Sequence, residues 1–485
     1  MSGFNRLIKN SISNIINGFS NVILGIVVSP FILNNLTLEQ FSVWSLILQF
    51  GLFISFLGFG AQIAVGRFTS LAKFNNDDAL FRNTMSNSLV ICFLSMSIAF
   101  VAIICAVIYL NFFIPITRND GNLEYEISFV VVCISFTLGL LSSIFSGYFT
   151  GIERNDIIAT INLFSRVFLG FAIIFSSRYG LLPMAISYFL VNFISYTIIF
   201  VEYKKREKSR IILKISDGMK ALLSFCGGLA IWNLAQFFIS GTGAFIVGKY
   251  DFQNLAYYIL ALTLINAVVG IAGAIINPII QPVVKLNAKG FHNEVDNLVV
   301  KLSLLLSVLI FIGLNISHYV SEFILNLWVG ADKAGPTNKI FNYLLAAFSI
   351  RIVVSPYGMK LVAEGKQLRI SHYPLVEGII NLILSIFFVK AFGAIGIAYS
   401  TMCSALLLMI AYAYKFSSES ALRNSMVKIS MPFFIIPMLS LSSVFLLGYF
   451  PMSEMLFFSQ LLILIPAVFL LRRIMYDIRR VINII

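Results

Sequence analysis

The sequence predicts an all-α polytopic membrane protein: about 14 transmembrane helices, as two pseudo-symmetric six-helix bundles plus two C-terminal helices. Three observations predict it. Of 485 residues, 59% are apolar and only 11% charged, at a mean hydropathy of +0.93. Soluble globular domains do not carry so few charges for so much apolar surface. The apolar residues fall in runs of the ~20 residues a helix needs to cross a hydrocarbon core. Basic residues alternate between dense and sparse in successive connecting segments.

Runs broken at charged or turn-rich stretches place the spans at 11–33, 41–63, 84–110, 126–149, 157–176, 181–201, 221–247, 255–283, 299–325, 340–359, 370–389, 394–414, 429–449 and 453–471. With the N-terminus cytoplasmic, only Arg118, Arg178, Lys249, Lys333, Lys339 and Lys390 of the 34 lysines and arginines fall outside, and Arg166 and Arg351 lie within spans. That bias obeys the positive-inside rule with both termini cytoplasmic. It accounts for most of the net charge of +13 without a nucleic-acid partner, and it attracts anionic lipid headgroups. Trp44 and Trp328 fall at expected outer ends, as interfacial anchors do. Arg6 and Lys9 precede a segment too polar for a signal-peptide core, so span one is expected to stay attached. The five cysteines lie in apolar runs with no paired spacing and read as packing residues.

The basic stretch VEYKKREKSRIILK (201–214) separates two halves that resemble each other weakly. LTLEQFSVWSLI (36–47) parallels YDFQNLAYYILA (250–261), and SRYGLLPMAISY (177–188) parallels KAFGAIGIAYST (390–401), with Gly180 meeting Gly393. The expected organisation is a bundle at 1–201, a cytoplasmic linker at 202–220, a second bundle at 221–414, and two further helices with a basic tail at 415–485. Each repeat has six crossings, so both halves share one orientation.

Polar groups inside spans are the functional candidates. Asn10, Asn14, Asn17 and Asn21 fall within an arc of roughly 60° at ~100° per residue. An unpartnered buried amide costs ~1–3 kcal/mol, so this stripe faces protein or a water-filled cavity. Span seven repeats the habit with Asn233, Gln236 and Ser240. Interhelical hydrogen bonding and a hydrophilic cavity both fit. Charges within spans are rarer: Arg166, Arg351 and Glu377, with His318 toward an outer end. Arg351 and Glu377 suit a mutual ion pair or separate roles in anion binding and ion coupling. No acidic residue lies in spans near Arg166, which suits an anion site. Arg67, Lys73 and Lys289 at the cytoplasmic edge fit either an entrance for an anionic headgroup or ordinary topological charge. No Gly-rich phosphate loop or histidine cluster is seen, so neither ATP hydrolysis nor a metal centre is expected, and the protein is not expected to be an enzyme.

The pattern RLIKNSISNIINGFSNVILGIVVSPFILNNLTLEQFSVWSLILQFGLFISFLGFGAQIAVGRF resembles the first two spans of Wzx-type O-antigen flippases, in the polysaccharide-transporter branch of the MOP superfamily. The features that carry it are the basic start with Asn10, Pro30, the turn Glu39-Gln40-Phe41 before Trp44, and Leu57-Gly58-Phe59-Gly60 followed by Arg67. Ser42 stands where the family usually has Gly. The resemblance implies flipping of an undecaprenyl-pyrophosphate-linked oligosaccharide from the cytoplasmic to the periplasmic leaflet of the bacterial inner membrane. It also implies contact with membrane lipids and association with the pathway's polymerase and chain-length regulator. The substrate-binding set expected is Arg166, Arg351, Asn14, Asn17, Asn21, Asn233 and Gln236, without a cofactor. Glu377 is the candidate for coupling to a proton or sodium gradient. A cation-coupled multidrug exporter and a lipid II flippase of the same superfamily are the alternatives.

Overall fold

The structure, a computed structural model, describes residues 24–109, 122–207, 213–276, 283–284, 286–287, 289–363, 372–419 and 469–478. Among these residues eleven helices are long and apolar enough to cross a membrane. They are Leu38–Phe74, Asp78–Ile108, Leu123–Gly151, Asn155–Tyr179, Leu181–Arg206, Met219–Tyr250, Phe252–Gly273, His292–Ser317, Ala331–Leu361, His372–Phe392 and Ile395–Phe416. They match spans two to twelve of the sequence reading in order, and the chain is a multi-pass membrane protein. Leu24–Asn35 is the helical end of span one. The rest of span one, span thirteen and most of span fourteen lie outside the described residues. Residues 471–478, past the apolar run, are helical.

Local chemistry sets the helix starts. Thr37 and Gln40 form a reciprocal capping box at the head of span two: Gln40 N donates to Thr37 Oγ1 (3.2 Å) and Thr37 N to Gln40 Oε1 (3.1 Å). Asp77 caps span three by accepting from Leu80 N at 2.8 Å. Glu124 caps span six from a distant part of the chain, its Oε1 accepting from Leu181 N (3.0 Å) and Leu182 N (3.1 Å). Span two ends later than its sequence suggests. LGFG is a break within it: Leu38–Phe56 gives way to Ala61–Phe74 across a turn with Phe59 and Gly60 at positive φ. A Cβ at Gly60 would meet Leu229 at 2.6 Å, so glycine serves both the φ of +69° and the close approach of span seven.

The chain forms two compact units, Met1–Ile259 and Leu260–Ile485. In the first, span four packs against spans two, three and six. Gly147 and Gly151 let it approach span two. A Cβ at Gly147 would meet Gln62 O at 2.5 Å, and one at Gly151 would meet Gly66 O at 2.7 Å. This is the small-xxx-small crossing of membrane helices. Span seven packs on span two: Phe237 lies 5.0 Å from Phe53 and 5.7 Å from Phe56. The end of the basic linker is strapped to span three. Buried Ser86 and Asn87 bind backbone groups there, with Ser86 Oγ to Lys214 O at 2.6 Å and Ser216 N to Asn87 Oδ1 at 2.9 Å.

In the second unit span nine packs on ten, and spans ten and eleven both pack on twelve. The pairings of spans three with four, four with six, and five with six recur as nine with ten, ten with twelve, and eleven with twelve. Gly180 and Gly393, paired by the repeat, both adopt positive φ before their spans. The helix at 471–478 lays Ile474 and Ile478 on Val295, Leu298 and Leu302 of span nine. Trp44, expected at an interface, is only 2% exposed, because span two starts at Leu38 and its second turn packs on Tyr188 of span six.

Candidate polar site within the spans

Span seven carries Asn233 and Gln236 at the end of the helix Met219–Gln236, just before a π-helical turn, Phe237–Gly241. Such widened turns re-aim side chains and recur at functional positions. Ser240 spends its hydroxyl on its own helix, donating to Gln236 O at 2.8 Å. Asn233 and Gln236 are half-buried, and no hydrogen bond among the described residues engages either side-chain amide. The apolar residues beside them, Ile231 and Leu234, are 41% and 42% exposed, as on a lipid-facing side. Asn14, Asn17 and Asn21 lie outside the described residues, and so does the side chain of His318.

Arg166 is half-buried on span five, beside Tyr188 of span six. Tyr188 is held by Trp44 (ring centroids 6.0 Å, edge-on) and Phe136 (5.6 Å, stacked). Among the described residues no carboxylate lies within ion-pair distance of Arg166. A guanidinium keeps its charge and offers five donors in a planar fork. Held beside the Tyr188 hydroxyl with no carboxylate partner among the described residues, it is a ready partner for a phosphate or carboxylate.

Arg351 and Glu377 do meet. Arg351 Nε of span ten lies 2.8 Å from Glu377 Oε1 of span eleven, with the side chains 18% and 1% exposed. It is a charge contact off the N–H axis: neither Glu377 oxygen has an aligned donor among the described residues. Asn381 and Ser385 continue a buried polar stripe from Glu377 along span eleven. Across from them Ser385 and Ser400 share a hydrogen bond of 2.6 Å, and Thr401 Oγ1 reaches Asn381 Oδ1 at 3.5 Å.

The entrance candidates have local partners. The Arg67 guanidinium sits 4.8 Å over the Phe225 ring. Lys73 binds Glu207 at 3.1 Å and lies 4.4 Å over Phe81. Lys289 is exposed. A second buried pair escaped the sequence reading, which left Lys360 in a loop. Lys360 Nζ binds Asp296 Oδ1 at 2.6 Å, with side chains 10% and 4% exposed, and lies 5.3 Å over Phe416. The apolar residues Leu361, Val362 and Ala363 after Lys360 were the available signal that the helix runs on.

No protein-family model and no curated protein matches the sequence. Solved structures do. A lipid II flippase, MurJ, in an inward closed conformation matches with a TM-score of 0.68 at 15% identity, over 97% of this chain and 99% of its own. An inward-facing multidrug-resistance transporter of the MATE family, in the MOP superfamily, matches with a TM-score of 0.57 at 12% identity, over 85% of this chain and 98% of its own. A MOP-superfamily transporter from Pyrococcus furiosus matches with a TM-score of 0.55 at 14% identity, over 85% of this chain. At these identities the likeness is one of fold, and this chain has the polytopic helical fold of the MOP-superfamily transporters.

Proposed function

We propose that the protein is a flippase for a lipid-linked oligosaccharide with an anionic pyrophosphate head. The cargo in this reading is an undecaprenyl-pyrophosphate-linked O-antigen unit or a related surface-polysaccharide unit, moved from the cytoplasmic to the periplasmic leaflet by alternating access. The observation that carries the reading is Arg166: a guanidinium inside a span with no carboxylate partner among the described residues. A permanent cation in that setting favours an anionic cargo and disfavours a cationic drug. The amides of Asn233 and Gln236 suit sugar hydroxyls, and a lipid tail stays in the bilayer. Placement in a bacterial inner membrane with both termini cytoplasmic, and association with a polymerase and chain-length regulator, belong to the same proposal. So does energy coupling through Glu377 to a proton or sodium gradient.

A second reading, lipid II as cargo, is favoured by coverage. The MurJ structure matches 97% of this chain, whereas the MATE structure leaves ~15% unmatched, about the share of the two extra helices. Complementation separates the two. Restored surface polysaccharide in a strain lacking its own exporter supports the first reading. Rescue of a strain depleted of its lipid II flippase supports the second, and failure of both, with drug resistance gained, overturns the pyrophosphate cargo.

A further inference from the structure

We propose that Glu377 is a resident stand-in for the cargo's anionic group: when a phosphate oxygen takes the Arg351 guanidinium, Glu377 releases it and takes up a proton from solvent. This inference rests on the pyrophosphate reading above. The pair is built for exchange. Glu377 is 1% exposed and fixed in the polar stripe of span eleven, while Arg351 keeps 18% exposure. The shortest approach is Nε to Oε1 at 2.8 Å, and no aligned hydrogen bond among the described residues engages Nε or either Glu377 oxygen. The contact lacks the aligned, two-pronged geometry of a strong guanidinium–carboxylate pair. A phosphate offers that geometry and is the better partner.

What Glu377 does next follows from its surroundings. From span ten it faces Arg351, and from span twelve Tyr412 lies within electrostatic reach of both. On span eleven itself Tyr373 packs on Tyr412 with ring centroids 5.6 Å apart, and His372 packs on Tyr373 at 4.2 Å. Farther along span ten the Lys360 charge is matched by Asp296 at 2.6 Å. Lys415 of span twelve lies 5.3 Å over the Tyr373 ring, and Arg351 is the cation in contact with Glu377 among these groups. A buried carboxylate that loses its counter-charge is neutralised by a proton rather than left ionised. The charges balance: the phosphate brings one negative charge to Arg351, one solvent proton adds to a Glu377 oxygen, and no covalent bond breaks. Binding of the anion is thereby linked to proton uptake, and release of the anion to proton loss.

The test uses the full chain in lipid nanodiscs with geranyl pyrophosphate as probe. Calorimetric titration at pH 7.5 in two buffers of different ionisation enthalpy gives the protons taken up per probe bound. Subtracting the value for Glu377→Gln removes the probe's own ionisation. The expected difference is about one proton, with Glu377→Gln binding roughly tenfold tighter because the competitor is gone. Glu377→Asp, which keeps a titrating carboxylate, retains the uptake, and Arg351→Ala loses the binding. Equal proton uptake in wild type and Glu377→Gln, or undiminished binding by Arg351→Ala, overturns the inference while leaving the pyrophosphate reading standing. Absence of probe binding by the wild type overturns both.

Discussion

Arg351 and Glu377 show what a single substitution does inside a span. Removing one partner of a buried pair strands the other charge, at a cost of ~3 kcal/mol or more. Arg351→Ala is therefore expected to lower the thermal midpoint in detergent markedly. Adding Glu377→Gln to Arg351→Ala should restore most of the stability, and if it does not, the pair is not the stabilising unit. Arg166 behaves differently. With no carboxylate beside it among the described residues, Arg166→Ala strands no charge and leaves the Tyr188 hydroxyl its Asn192 partner, so its thermal midpoint should stay within a few degrees of wild type. These three residues were legible in the sequence because charges stand out in apolar runs. The Arg351–Glu377 pair was one of two readings the sequence left open, since spans ten and eleven could present any face to each other. Lys360 was missed for a related reason: a lysine near a span end reads as topology until its helix is seen to continue onto Asp296.

Helices were legible as elements but their ends and contacts were not. Eleven spans were recoverable because an apolar run of sufficient length has one solution in lipid. The break at Leu57–Gly60 inside span two was not legible, since Gly60 answers to Leu229, 169 positions along the chain. Trp44 is buried for the same kind of reason, through Tyr188. Close contact between spans two and four rests on Gly147 and Gly151. Gly147→Val would drive a branched side chain into Gln62 O and Val65, costing about 1–3 kcal/mol, measurable as a lower unfolding temperature. On span seven, cysteines replacing Asn233 and Gln236 should react with a water-soluble maleimide in a background lacking the native cysteines. Cysteines at Ile231 and Leu234, on the exposed apolar side, should react far less. Equal labelling at all four positions would place no aqueous face on this helix.

For the whole molecule, the weak internal repeat of the sequence recurs as a repeated order of helix packing, with Gly180 and Gly393 turning the chain before corresponding spans. Composition and repeat thus pointed to the fold that the solved MOP-superfamily transporters share. Cargo is a property of a few side chains on that fold, and the two halves differ in it. The first unit holds Arg166 with no carboxylate partner among its described residues, whereas Arg351 in the second is balanced by Glu377. A protein made this way should favour anionic over cationic cargo, and the dependence should run through Arg166. The most direct measurement is flipping of a fluorescent polyprenyl-pyrophosphate oligosaccharide in proteoliposomes, comparing wild type, Arg166→Lys and Arg166→Ala at matched reconstitution. Wild type should flip it, Arg166→Lys should retain part of the rate, and Arg166→Ala should lose roughly tenfold or more, the worth of a charge-assisted contact. Wild-type flipping by Arg166→Ala, or efflux of a cationic dye in place of the pyrophosphate lipid, would contradict the account.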